Sequence, residues 1–390
     1  MVSRFYPCAV LRLLTLSLAF LTPLSKAQFD PAATSVSAKV RGEIIISRDD
    51  GAWESQQVQE SCILPHPRDP KKLVMFYSGV PKTNRVLCEL GKAWADVSDP
   101  YTWHQDKANP IFSPSKDPTA WDSKTLRLDC VMYIPEEDAF YIYYSGSKTN
   151  TQDHIGLAIC PAGDGYESIG HDTIKRFGNR PILAPEPDAP FSETMASQST
   201  VWREPGDTPG TWKWYMYYSY RGKNGILPGI RLATSADGKS WTRHYNEGDP
   251  RGMGHIFDST PNAYYEWHQI SKIGKTYVLI IEVGINKGQR WRPVIAVSAH
   301  PDRGWQQLDV DSMIQTQWTG LYSDNTMFHV ATPALYQFGK KWYLYVQACA
   351  LPPNRNYIDG GWDIWCIAAD RLIPTLPGLD PIHIPGIASK

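Results

Sequence analysis

Beyond its first thirty residues the chain reads as strands. Short runs rich in Val, Ile, Tyr, Phe and Trp alternate with clusters of Gly, Pro, Asp, Asn and Ser, and no stretch holds the spacing of a long amphipathic helix. The runs recur in sets. Opening runs are "SCILPHP", "DCVMYIP", "STVWREP", "HQISKIG" and "TPALYQFG", followed by "KLVMFYSG", "FYIYYSG", "WKWYMYYSY", "TYVLIIEVG" and "KWYLYVQA". A third strand follows each pair, as in "IGLAIC", "IRLATS" and "VIAVS". With Ser61, Asp129, Ser199, His268 and Thr332 as equivalent first positions, the units lie 68, 70, 69 and 64 residues apart. Five near-equal units of three or four antiparallel strands predict an all-β fold, a five-bladed β-propeller around a central funnel. The early segment "KVRGEIIIS" is expected to supply the outer strand that closes the ring.

In such a ring the innermost strand of each blade runs beside the axis, so the residues that open these strands converge although they are far apart in sequence. The segments feeding the first three units share a pattern. Trp53, Trp121 and Phe191 each stand eight residues before the anchor, and Glu54 and Asp122 follow the two tryptophans. A repeated scaffold repeats its packing, so this aromatic-plus-acid pair is expected to be a plug between blades. Trp121 is also a candidate stacking surface for a ligand.

Composition narrows the surroundings. A net charge of −1 gives no global field that suggests nucleic acid or an anionic membrane as a partner. The 15 Trp and 21 Tyr suit flat, partly apolar ligands such as sugar rings. Arg4 and Arg12 precede "LLTLSLAFL", and "SKA" ends at Ala27, so residues 1–27 are expected to be a secretory signal peptide. Residues 28–390 are then one propeller domain, secreted, extracellular or periplasmic, and expected to be monomeric. Outside the leader lie six Cys, with no zinc-type spacing. Cys349 and Cys366, on neighbouring strands of one hairpin, are the expected disulfide pair, and Cys62 and Cys130 occupy matching repeat positions.

The candidate chemistry follows from the ring. Glu60 and Asp129 stand at the start of innermost strands, where carboxylates are poorly solvated unless ligand, cation or water fills the funnel. Acids sharing one pocket push their pKa values apart, which suits one to give a proton and another to take one. The fourth unit adds "YYEWHQ", in which Glu266 and His268 share a strand face and Tyr265 and Trp267 offer stacking surface. His329, with Asp324 and Asn325, enters from the fifth unit, Ser199 from the third, and Arg127 stands two residues before Asp129. The third unit has no acid at its anchor, and Glu193 is the nearest. No cofactor is required, and a structural calcium ion in the funnel is a further expectation.

The five units, with "DPYTWHQDKANPIF", "ATSADGKSWTRH" and "GKKWYLYVQA", resemble the five-bladed propeller glycosidases around glycoside hydrolase family 43, with families 32, 62, 117 and 130 as relatives. The resemblance spans most of residues 53–370. It implies an inverting hydrolase with a base Asp in the first blade, a pKa-tuning Asp in the second and an acid Glu in the third. Asp129 matches the second of these and Glu60 replaces the first. The third is met by Glu193 in order, or by Glu266 or His268 from the next blade. Three functions are therefore expected in competition. The leading one is a glycosidase acting on a polysaccharide or oligosaccharide through Glu60, Asp129, Glu266 and His268. The second is a lyase on uronic-acid glycans, with Arg127 on the uronate, His268 as base and Tyr264 or Tyr265 as acid. The third is a glycan-binding propeller without turnover.

Overall fold

The computed structural model describes residues 39–369, apart from 46–52, 85, 150–152, 187–192, 223–227, 245–254, 262, 286–289, 308–326, 339–340 and 352–362. The described residues fall in one unit, Val36–Lys390, and contain no helix. The first strand, β1 (Lys39–Ile45), belongs to the last blade. Blade one is β2 (Gln57–Pro65), β3 (Lys72–Val80), β4 (Glu89–Asp96) and β5 (Asp99–Gln105). Blade two is β6 (Thr125–Ile134), β7 (Ala139–Ser147), β8 (His154–Pro161) and β9 (Lys175–Arg176). Blade three is β10 (Glu193–Pro205), β11 (Trp212–Gly222), β12 (Gly229–Ser235) and β13 (Thr242–Arg243), with β14 (His255–Asp258) also paired to β12. Blade four is β15 (Ala263–Ile273), β16 (Thr276–Ile285), β17 (Arg290–Ser298) and β18 (Gln306–Gln307). Blade five is β19 (Met327–Phe338), β20 (Lys341–Leu351) and β21 (Asp363–Ala369), completed by β1.

The innermost strands form a ring. Strand β2 touches β6, β6 touches β10, β10 touches β15, β15 touches β19, and β19 returns to β2. Apolar side chains fill the gaps between blades: Val74 and Phe76 of blade one pack with Phe140 and Ile142 of blade two. The second strands β3 and β7 are covered on both faces, which is why they read as unbroken apolar runs. As expected from "KVRGEIIIS", β1 pairs antiparallel with β21 and ties the two ends of the chain together.

Each innermost strand carries a bulge. The ladder breaks between Gln59 and Cys62, Leu128 and Cys130, Ser197 and Thr200, Tyr265 and His268, and Ala331 and Ala334. Glu60, Gln198 and Thr332 sit at these breaks with φ of 59°, 53° and 45°, a left-handed conformation that costs an L-residue about 1–2 kcal/mol. The bulge corrects the repeat alignment. His268 resumes the ladder opposite Ile281, as Cys62 does opposite Phe76 and Cys130 opposite Tyr143. The equivalents of Ser61, Asp129 and Ser199 are therefore Trp267 and Pro333, not His268 and Thr332. One residue of slip turns a side chain to the other face.

Polar groups of the second strands meet the bulge of the next blade. Ser78 Oγ accepts from the Leu128 N–H at 2.8 Å, Ser145 Oγ from the Gln198 N–H at 2.8 Å, and Glu282 Oε2 from the Thr332 N–H at 2.6 Å. The amides that the bulge frees from the ladder are thus satisfied across the blade seams.

The acids ahead of the blades are architectural. Glu54 accepts from Tyr77 and Gln105, Asp122 from Tyr144 and Arg176, and Glu193 from Tyr218 and Arg243. In each case the acid ties the second strand to the outermost one. The tryptophans lie over glycines: a Cβ on Gly79 would stand 2.2 Å from the Trp53 ring, and one on Gly146 2.6 Å from Trp121. Phe191 lies outside the described residues. The expected Cys349–Cys366 pairing does not fit the register. Cys349 faces His329 and Cys366 faces Tyr345, four residues along β21 from the position opposite Cys349, about 13 Å away. Cys62 and Cys130 are unbridged thiols.

Candidate active site

Charged groups from four blades converge on the funnel. Glu60 (β2), Arg127 and Asp129 (β6) and Glu266 (β15) come from innermost strands; Asp153 precedes β8, Arg221 ends β11, and Glu282 lies in β16. Arg127 feels the carboxylates of Glu60, Asp153 and Glu266; Arg221 feels Glu266 and Asp153; Glu282 feels Glu266 and Glu60.

Glu60 is 3 % exposed and left-handed at its bulge. Its Oε2 accepts from Ser78 Oγ at 2.6 Å and its Oε1 from Gln59 Nε2 at 3.2 Å. Burial pushes its pKa up to about 7, opposed by Arg127 and Ser78 and reinforced by Asp129. Such a carboxyl is half protonated near neutrality. Asp129, 4 % exposed, accepts from Ser145 Oγ at 2.6 Å and Ser199 Oγ at 2.7 Å, one hydroxyl on each oxygen. Burial pushes it up to about 6 against those two bonds. Glu282, also buried, is pushed up to about 8 by desolvation, with Glu266 and Glu60 adding to the rise.

Glu266 is the more open carboxylate. Its side chain is 13 % exposed and takes a 2.7 Å bond from Arg221 Nη2. Arg127 interrupts an otherwise buried stretch of β6, its side chain exposed between Leu126 and Leu128, which both sit in the core between blades one and two.

Of the residues singled out in the sequence, the structure brings together Glu60, Asp129, Glu266 and Arg127. The others sit elsewhere. His268 is 2 % exposed, its Nδ1 lies 3.0 Å from the Glu266 carbonyl oxygen, and burial lowers its pKa, so the ring is neutral and turned into the blade seam. Ser199 serves Asp129 rather than the open funnel. Trp121 stacks on Tyr144 at 5.5 Å and 15°. Tyr265 stacks on Phe257 and donates to Gln307 Oε1, and Trp267 is buried. Glu193 pairs with Arg231 at 3.0 Å and Arg243 at 2.6 Å, all three buried, and is a strut rather than a third funnel acid. The His329 side chain, Asp324 and Asn325 lie outside the described residues. Among the described residues no three His, Cys, Asp or Glu side chains are grouped as ligands for a metal ion. Of the groups a lyase needs here, Arg127 faces the funnel, whereas His268 and Tyr265 do not.

Sequence reasoning missed Asp153, Arg221 and Glu282. Glu282 did leave a signal: it is a lone acid inside the apolar run "TYVLIIEVG". Asp153 and Arg221 sit at strand ends in polar sequence, where nothing marks them.

The arrangement defines a class, the five-bladed propellers with an acid-lined funnel. Solved structures share the fold. One described as a glycoside hydrolase superposes with a TM-score of 0.58 at 15% identity, covering 90% of this chain and 96% of its own. The catalytic domain of a family 62 α-L-arabinofuranosidase from Coprinopsis cinerea gives 0.58 at 12%, covering 86% and 98%. A member of the family 130 mannoside phosphorylases, described as containing hydrolases that target β-1,2 mannosidic linkages in Candida mannan, gives 0.54 at 17%, covering 88% and 97%. No family model and no curated protein matches the chain in sequence.

Proposed function

We propose that this chain is a glycosidase that hydrolyses a glycosidic bond with inversion, Glu60 acting as general acid and Glu266 as general base. The observation that carries the reading is Glu60: buried, held in a strained backbone, and pushed up to about 7 beside other carboxylates on a funnel axis. The likeness of the whole fold to glycoside hydrolases supports it. In the step, Glu60 gives its proton to the leaving glycosidic oxygen as the bond to the anomeric carbon breaks. A water attacks that carbon from the opposite face and gives its proton to Glu266, which Arg221 holds as the carboxylate. Asp129 keeps Glu60 protonated through its charge. The sequence of residues 1–27 supports export, checked by whether the protein appears in the medium shortened at Ala27.

A screen against neutral and uronate-bearing polysaccharides tests the reading, with reducing ends and ultraviolet absorbance followed together and the product anomer read by NMR. New reducing ends of inverted configuration, without absorbance and lost in Glu60→Gln, are expected. Absorbance rising with the reducing ends would make the protein a lyase. Saturable binding without turnover would leave a glycan-binding propeller.

A further inference from the structure

The sugar's chemistry is hinted at by a cation that the fold leaves uncommitted. A guanidinium carries five N–H donors. In this protein the other arginines near the axis are engaged: Arg221 with Glu266, Arg231 and Arg243 with Glu193. Arg127 donates no hydrogen bond and makes no ion pair among the described residues, although it is walled by protein and open to solvent at once. It stands on the same strand as Asp129, two residues away, within the fields of Glu60, Asp153 and Glu266. A buried-walled cation needs partners for its donors, and none of these acids is close enough to supply them.

We propose that Arg127 receives the carboxylate of an acidic sugar, so that the substrate is a uronate-bearing glycan. The planar fork of Arg matches a carboxylate with two parallel N–H···O bonds, a match that a neutral hydroxymethyl group cannot offer. Charge argues the same way. Arg127 and Arg221 together balance Asp153 and Glu266, and Glu60 is the remaining neighbour of Arg127. When Glu60 holds the proton that an acid catalyst must hold, Arg127 loses that counter-charge, and the incoming carboxylate restores it. The carboxylate's negative field in turn favours the protonated form of Glu60. The inference deepens the glycosidase reading in naming its substrate class, yet binding can be measured without turnover.

Calorimetry on the full chain tests it, using a uronic-acid oligosaccharide and the same oligosaccharide reduced at its carboxyl groups. The acidic form is expected to bind at least tenfold tighter, with affinity falling as salt rises. Arg127→Gln is expected to abolish the preference, and Arg127→Lys to restore part of it with an unchanged melting temperature. No preference for the acidic form, including binding to neither, overturns the inference, as does a preference that survives Arg127→Gln. Preferential binding without hydrolysis would sink the glycosidase reading and leave Arg127 in place. Hydrolysis with equal use of both sugars would do the reverse.

Discussion

Replacing Glu60 by Gln keeps its size and its bond to Ser78 while removing the proton it gives. The expected result is a fall in kcat of about 10²–10⁴-fold, the range of a lost general acid, with substrate binding retained. Stability should move the other way with pH. The folded pKa of Glu60 is raised to about 7, so its contribution is full below the unfolded pKa and is lost as pH rises through 7. Glu60→Gln therefore gains melting temperature relative to wild type between pH 5 and pH 8, and a relative loss would contradict the burial argument. Glu193 makes the contrast. Removing it strands Arg231 and Arg243 without their shared carboxylate, so Glu193→Ala is expected to cost about 3–5 kcal/mol in denaturant unfolding. The kcat of the remaining folded protein should stay near wild type; a catalytic collapse at full stability would restore Glu193 as the acid. These two acids also show what the sequence could reveal. Glu60 was visible because an acid at the start of an axial strand has few places to go. Glu193 occupies the third-unit place matching Glu54 and Asp122, but the aromatic-acid doublet that marks them is broken there, so order along the chain misread it.

At the scale of the element, the bulge is the device that sets the site. It inserts one residue into each innermost strand, turns Glu60 toward its neighbours and sends freed amides across the seams. Blade four differs in using a carboxylate, Glu282, where blades one and two use the Ser78 and Ser145 hydroxyls. That seam should be sensitive to alkali. Glu282 ionises at about 8 in the fold against about 4.3 unfolded, so its contribution is present below pH 4 and lost as pH rises to 8. Glu282→Gln keeps an acceptor for the Thr332 N–H and is expected to flatten the fall in stability from pH 5 to pH 9 by up to ~4 kcal/mol. An unchanged slope would show that Glu282 ionises as freely in the fold as out of it. The strands themselves were legible, because alternation and turn residues mark them. The bulge was not: an extra residue leaves no mark in an apolar run, and so His268 was placed one position too near the axis. Ladder register is a pairing property and emerges only when β15 meets β16.

The whole molecule depends on a closure that its first strand completes. Strand β1 pairs with β21 and touches β5, so it joins the last blade to the outer edge of the first. Its Ile45 sits in the core that blades one and five share. Deleting residues through Ile45 leaves "DIWCIAA" of β21 as an open, apolar edge, a template for pairing with other chains. The cost is a ladder and a buried Ile, about 3 kcal/mol, which for a chain of this size lowers the melting temperature by ~4–6 °C. The loss should also be local. Amides of β2 and β19 flank that seam and should exchange faster in the truncated chain, whereas those of blade three should not. The site reports it as well, because Glu60 lies on the same seam: its N–H donates to Thr332 Oγ1 at 3.4 Å across it. A loosened seam relaxes the left-handed turn that holds the Glu60 carboxyl in its dry position. Activity of the truncated protein is therefore expected to fall by more than its folded fraction does, and its acid limb to shift toward an ordinary carboxylate. If activity instead tracks the folded fraction, ring closure serves stability alone, and the bulges hold the funnel in shape without it.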